Sequence, residues 1–196
     1  MAPAALVRAT AAGAGLKAEL AQAMLTTTLR AFAAAPWSAG LGLSVNATAA
    51  ELETGGFGEA LIAAAATAGI PPSRLTVELT EEERPGDMGA LAGALHKVRA
   101  QGVAAAADDF GAGYAGLSWL LALPLDALKL DQGFAGALPH PGAAAAARAV
   151  AQIGAELGLT LTAEGIETEE QRLAFAAMGY QRGQGRLFGM PQEIRD

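Results

Sequence analysis

The chain has 196 residues, enough for one well-cored domain but too few for two domains of ordinary size. Its 13 basic and 20 acidic residues give a net charge of −7, which opposes nonspecific binding to nucleic-acid phosphates and anionic membranes. The absence of cysteine excludes disulfide frameworks, thiolate zinc sites and cysteine nucleophiles. We therefore expect one domain over residues 1–196, cytoplasmic, with neither a nucleic-acid polymer nor a membrane as partner.

Taken in chain order, the sequence opens with a predicted helix and then alternates short apolar runs with helical stretches. The first helix spans 16–35, with an apolar face at helical spacing and Pro36 at its end. Apolar runs predict six strands, at 41–46, 75–80, 103–109, 127–131, 159–164 and, more weakly, 182–187. Helices are predicted between and after them at 57–68, 87–101, 114–121, 142–157 and 168–178.

Repeated βα units predict a parallel sheet covered by helices, either doubly wound or closed as a barrel. An eight-unit barrel of about 250 residues uses about 31 residues per unit, so this chain holds about six units. A first strand only at residue 41 favours the barrel. We expect an α/β, TIM-barrel-like fold that is incomplete and lacks its first strands.

Polar residues gather where the predicted strands end, and in parallel α/β folds that end carries the active site. They are Asn46, Glu78, Asp108, Asp109, Lys129, Asp131 and Glu164. The alternative is that each caps the following helix, as we expect of Asp87 and Asp131. Capping does not explain Glu78, because glutamate is a poor cap, or two consecutive aspartates after four alanines.

Such a cluster of carboxylates with one amide, and no cysteine, suits Mg²⁺ or Mn²⁺. Two adjacent aspartates can hold two cations about 3.5 to 4 Å apart, an arrangement that activates water and neutralises a phosphoryl group. Phosphodiester hydrolysis is the reaction class this indicates. Alternatively, the carboxylates share protons or pair with Lys129.

A second motif competes in the same place. Gly111, Gly113 and Gly116 spell G-x-G-x-x-G between a strand and a helix, and Asp131 follows at about the distance of a ribose-binding acid. Against a dinucleotide site, Asp108 and Asp109 directly precede the loop and would repel a pyrophosphate held there without metal.

The strand-end motifs, in order, resemble those of the EAL-domain family of cyclic di-GMP phosphodiesterases. The resemblance covers nearly the whole chain and is carried by the segments Leu43-Ser-Val-Asn46, Leu75-Thr-Val-Glu78-Leu-Thr-Glu81, Asp108-Asp109-Phe-Gly-Ala-Gly-Tyr114, Leu123-Pro-Leu-Asp-Ala-Leu-Lys129-Leu-Asp131, Ala163-Glu164-Gly-Ile-Glu167-Thr and Gln184-Gly-Arg-Leu-Phe188. It implies a modified TIM barrel that linearises cyclic di-GMP with two Mg²⁺ or Mn²⁺ ions.

The resemblance also implies the ligands. Asn46, Glu78 and Asp108 correspond to ligands of one metal, with Asp108 shared, Asp109 on the second metal, and Glu164 completing or adjoining that second ion.

Other roles implied by the resemblance are catalytic or supporting. Lys129 corresponds to the lysine that contacts the attacking water, and Glu164 is also a candidate base. Glu167 and Gln184 correspond to residues that hold the metal-side loop and water network, and Asp131 is expected to support the substrate or the loop.

The sequence departs from the family pattern at its signature, a metal-ligating glutamate within Glu-Ala-Leu on an early strand, followed by a substrate-contacting arginine. The literal Glu59-Ala-Leu61 comes after Asn46 on a predicted helix, so we interpret it as a coincidence. We expect the true counterpart upstream of Met1, and either a homodimer or an upstream segment to complete the barrel. Ala112, Ala115 and Gly116 replace residues that usually carry hydroxyl groups.

Two classes of function remain open on this basis. One is a cyclic di-GMP phosphodiesterase of impaired activity. The other is a degenerate module that binds cyclic di-GMP, or acts as a scaffold, without cleaving it.

Overall fold

The computed structural model describes residues 17–80, 85–113 and 117–190, and these residues build one six-stranded sheet. Its strands lie in sequential order, each parallel to the next. They are β1 (Leu43–Ala47), β2 (Leu75–Leu79), β3 (Ala104–Phe110), β4 (Ala127–Leu130), β5 (Thr160–Ala163) and β6 (Arg182–Gly183). Among the described residues β1 and β6 do not pair with each other, so the barrel is not closed. The predicted incomplete, TIM-barrel-like α/β fold is confirmed.

Helices follow the strands, as the βα rhythm predicts. They are α1 (Lys17–Ala34), α2 (Ala49–Glu53), α3 (Gly56–Ala68), α4 (Met88–Ala100), α5 (Leu117–Ala122), α6 (Gln132–Ala137), α7 (Pro141–Glu156) and α8 (Glu169–Met178). Three parts of the predictions lie outside the described residues: the first residue of the predicted helix 16–35, the motif residue Glu81, and residues 114–116 of the predicted helix 114–121. None of the described helices is long and apolar enough to cross a membrane.

The short helices α2 and α6 were not predicted, because their few residues show no helical repeat. Capping side chains start both of them. The Thr48 hydroxyl accepts a hydrogen bond from the Glu51 amide, and the Glu51 carboxylate accepts one from the Thr48 amide. The Asp131 carboxylate accepts one from the Gly133 amide.

The last strand is shorter than predicted. We expected a strand over 182–187, but β6 ends at Gly183. Beyond it the backbone of Gly185 lies against Ile166 so closely that no Cβ would fit, and the Phe188 amide donates to the Gly185 carbonyl. This segment is therefore a turn that closes over the chain after β5.

The two faces of the sheet differ in burial. On β2, Leu75, Val77 and Leu79 are buried under the helices, while Thr76 and Glu78 between them are half-buried on the opposite face. Strands β4 and β5 repeat this alternation, with Lys129 on the half-buried face. The sheet thus carries its apolar core on the helix side and polar groups, including Glu78 and Lys129, on the other.

Candidate active site

Lys129 lies at the centre of a cluster of carboxylates at the carboxyl ends of β2 to β5. Its ammonium Nζ lies 2.7 Å from Asp108 Oδ1, 2.7 Å from Glu164 Oε1 and 3.2 Å from Glu78 Oε2. All four side chains are only 11–12% exposed. The carboxylates therefore pair with Lys129, which was one of the alternatives that the sequence left open. Glu78, Asp108 and Glu164 lie together, as the predicted cluster requires.

A β-bulge explains how two consecutive aspartates reach one site. Ala107 pairs with Leu128 and Phe110 with Leu130, so β3 has one residue more than β4 over this interval. Asp109 has φ 52°, the only positive φ among the described non-glycine residues. Aspartate tolerates this left-handed conformation better than most residues. Regular alternation would point the two side chains to opposite faces; the bulge removes that constraint.

Three carboxylates are close enough to share a cation. One oxygen each from Asp108, Asp109 and Glu164 lies within 4.8 Å of the other two. Anionic oxygen ligands are what hard divalent cations such as Mg²⁺ and Mn²⁺ prefer. The donor set therefore fits a divalent metal ion.

Burial and like charge shift the pKa values of these groups. Burial raises the pKa of Asp109, and the charges of Asp108 and Asp131 raise it further. Burial also raises the pKa of Glu164, against the opposing hydrogen bond from Lys129. Burial opposes the charge of Lys129, but hydrogen bonds to Asp108 and Glu164 outweigh it and raise its pKa well above the usual range. The site holds its negative charge at a cost that a bound cation would relieve.

The remaining predicted residues surround this cluster. Asn46 is exposed and pairs in register with Glu78, the neighbouring strand position. Asp131 caps α6 through the Gly133 amide at 2.8 Å, as its capping interpretation predicted. Gln184 is exposed, and its backbone pairs with Ala163 and Ile166.

Glu167 contacts a residue that the sequence reasoning did not single out. Its Oε1 lies 3.0 Å from Arg186 Nη1, and both side chains are more than half exposed. The pair joins the segment after β5 to the segment after β6. Arg186 lies within the Gln184-Gly-Arg-Leu-Phe188 segment, but that segment alone does not indicate that its arginine contacts Glu167.

Two motifs are resolved by the fold. Glu59, of the literal Glu-Ala-Leu, is exposed on α3, as the coincidence interpretation predicted. The sequential strand order has no point where the order reverses, which is where dinucleotides bind in doubly wound folds. The glycine motif therefore does not mark a dinucleotide fold; Gly116 lies outside the described residues.

Comparison with protein families gives a match to the EAL domain over residues 1–191. A cyclic di-GMP phosphodiesterase of Pseudomonas aeruginosa is 37% identical over 160 residues, which cover 80% of this chain and 27% of that protein. The chain thus spans about a quarter of the length of this relative.

Solved structures agree in fold. One is the phosphodiesterase PaMucR in complex with c-di-GMP, with a TM-score of 0.81 and 32% identity, covering 93% of this chain and 75% of that one. Another is BlrP1 of Klebsiella pneumoniae in a manganese and cyclic di-GMP complex, with a TM-score of 0.73 and 30% identity, covering 91% of this chain and 47% of that one.

Proposed function

The chain belongs to the EAL-domain family, and on that premise we propose that it forms a single metal-dependent domain over residues 1–196 that acts on cyclic di-GMP. The observation that carries this proposal is the convergence of Asp108, Asp109 and Glu164 beside Lys129. A cyclic dinucleotide has two phosphodiesters, and its negative charge would be repelled by these acids without a cation. The proposal includes a cytoplasmic protein, since a cysteine-free chain is compatible with a reducing compartment.

In this mechanism Asp108, Asp109 and Glu164 would hold Mg²⁺ or Mn²⁺, with Glu78 and Asn46 at the neighbouring strand ends as further ligands. When bound, the metal would supply an activated water and neutralise the phosphoryl charge. Lys129 favours hydroxide over water beside its ammonium, which stays protonated at neutral pH. Glu164 is then positioned to accept a proton.

The signature position has a candidate inside the chain, in place of the position upstream of Met1 that the sequence analysis expected. The family match begins at Met1 and so includes the sequence Ala4-Ala5-Leu6-Val7-Arg8, an Ala-Leu pair followed by an arginine and preceding the Asn46 strand. We propose that Ala4 stands where the family has its metal-ligating glutamate, and that Arg8 is the arginine that follows it. The site would then lack one carboxylate, which supports weak metal binding and slow hydrolysis.

That replacement is also the observation that favours a second function. A site with Lys129 and four acids, but without the signature glutamate, is suited to bind cyclic di-GMP with metal and release it uncleaved. Binding without turnover and slow turnover differ only in the chemical step.

One experiment separates these functions. Purified protein is incubated with cyclic di-GMP in Mn²⁺ or Mg²⁺, and linear product is measured by chromatography alongside ligand binding by calorimetry. Asp109→Asn should abolish hydrolysis and weaken Mn²⁺ binding, because it removes a carboxylate from the converging triad. Asp87→Asn is the matched control, since the Asp87 carboxylate caps α4 through the Gly89 and Ala90 amides and is not one of the three converging carboxylates.

The outcomes are distinct. Slow hydrolysis that Asp109→Asn removes supports the enzyme. Binding with no product supports the non-cleaving module, and absence of both binding and product contradicts the proposed function.

A further inference from the structure

Phe134 packs on the loop that carries Asp109. It lies on α6, half-buried against the core cluster that includes Phe110. A Cβ placed on Gly111 would lie 2.7 Å from Phe134 Cε2 and 3.1 Å from Cζ. The ring thus covers the backbone two residues after Asp109 and leaves no space for a side chain there.

The backbone under this ring is unusual. Asp109 has φ 52° and Gly111 φ 96°, so two left-handed residues flank Phe110 at the end of the bulge. The described hydrogen bonds of this segment outside the strand pairing include those from the Ala112 amide to the Asp109 carbonyl at 3.0 Å and from the Asp131 amide to the Phe110 carbonyl at 3.2 Å, and the Asp109 amide donates to Asp108 Oδ1 at 3.1 Å. Aspartate adopts its left-handed conformation at a cost, so packing must help to select it.

Hydrogen bonds hold the backbone that carries this ring. The Phe134 amide donates to the Asp131 carbonyl at 3.1 Å, and the Asp131 carboxylate caps the same turn through Gly133 at 2.8 Å. One short segment therefore ties the end of β4 to the bulge of β3 through both a backbone bond and a ring contact.

We propose that Phe134 is a positioning residue, which holds the bulge so that the Asp109 carboxylate stays beside Asp108 and Glu164. Its consequence for metal binding and turnover rests on the proposed function, but its effect on the bulge does not. Without the ring, Gly111 and Asp109 gain other backbone conformations, and the third carboxylate leaves the cation site for part of the time.

The test compares Phe134→Ala with Phe175→Leu. Phe175 belongs to the same core cluster, but its ring packs on Tyr180 at a centroid distance of 5.1 Å. Amide hydrogen exchange in the metal-free proteins gives a readout that needs no ligand. We expect exchange of the Ala112 amide to be faster by about tenfold or more in Phe134→Ala and unchanged relative to its neighbours in Phe175→Leu.

Mn²⁺ titration of the same proteins gives the second readout. Phe134→Ala should weaken the affinity about tenfold, and Phe134→Leu should recover part of the loss. With cyclic di-GMP, kcat should fall at a nearly unchanged KM.

Unchanged exchange at Ala112 in Phe134→Ala would overturn the positioning role, whatever the protein binds. Faster exchange at Ala112 in a protein that binds neither Mn²⁺ nor cyclic di-GMP would retain the positioning role and reject the proposed function.

Discussion

Lys129 contacts three carboxylates at once and offsets part of their charge. Replacing it by methionine leaves Glu78, Asp108 and Glu164 without the cation they contact, and breaking a buried pair costs about 3 to 5 kcal/mol. We expect a large fall in thermal stability without metal, and a larger recovery on adding Mn²⁺ than in the unmodified protein, because the metal replaces the lost charge.

Lys97→Met is the matched control, since Lys97 is exposed on α4. It should change the melting temperature little, in Mn²⁺ or without it. Equal melting of the two variants in the absence of metal would contradict the role given to Lys129.

Ala4 gives a gain-of-function prediction. If it stands at the signature position, Ala4→Glu adds a carboxylate ligand, and we expect Mn²⁺ to bind about tenfold more tightly or better. Hydrolysis of cyclic di-GMP should rise with it and disappear again in the double variant with Lys129→Ala or Glu164→Ala. The matched control is Ala5→Glu, which adds the same charge one residue later; equal gains from both would show only a general charge effect.

Helix α7 packs on β5 through Gly154, which lies against Leu161. A Cβ on Gly154 would lie 2.5 Å from Leu161 Cδ2, whereas a Cβ on Gly93 of α4 meets no atom within 4 Å. Glycine to alanine stabilises an open helical site by up to about 1 kcal/mol, but overpacking a core costs about 1 to 3 kcal/mol. Gly93→Ala should therefore raise the free energy of unfolding in urea and Gly154→Ala should lower it. A higher free energy of unfolding in both variants would contradict the close packing of Gly154 on Leu161.

Tyr180 ties the segment before β6 to α7, because its hydroxyl donates to the Ala147 carbonyl at 3.0 Å. Burial raises its pKa above the ordinary value of 10.0. Above about pH 10 the unfolded chain therefore releases this proton while the folded protein keeps it, so stability falls as pH rises. Tyr180→Phe should be less stable at pH 7 by about 1 kcal/mol, and the gap should narrow towards pH 11 in urea titrations. A constant gap would contradict the raised pKa.

The long elements were predictable from the sequence and the short ones were not. Helices α3, α4 and α7 have enough turns to show an apolar repeat, whereas α6 depends on the Asp131 cap. The acidic cluster was predictable because parallel strands end at one edge. The β-bulge was not, since nothing in consecutive aspartates shows that Asp109 is left-handed, and the contact of Phe134 with Gly111 depends on tertiary packing.

The net charge of −7 on the whole molecule and the acidic site both oppose the approach of an anion. Both would repel a cyclic dinucleotide, so under the proposed function a divalent cation would supply local attraction as well as chemistry. The clustered acids and Lys129 lie at one end of the half-buried face of the sheet. The opposite face, under the helices, is apolar and forms the core. Among the described residues the sheet has two edge strands, β1 and β6.

These edges lead to the last prediction. Strand β1 pairs only with β2 among the described residues, and exposed Ser44 is its second residue. An open edge presents unpaired backbone groups to which a strand of another molecule can pair.

We expect the protein to self-associate as its concentration rises, measured by chromatography with light scattering. Ser44→Lys should shift it towards monomer, because an edge lysine opposes strand addition, while Ser73→Lys in the turn before β2 should not. A sharply melting monomer at every concentration would mean that other parts of the chain cover the edge.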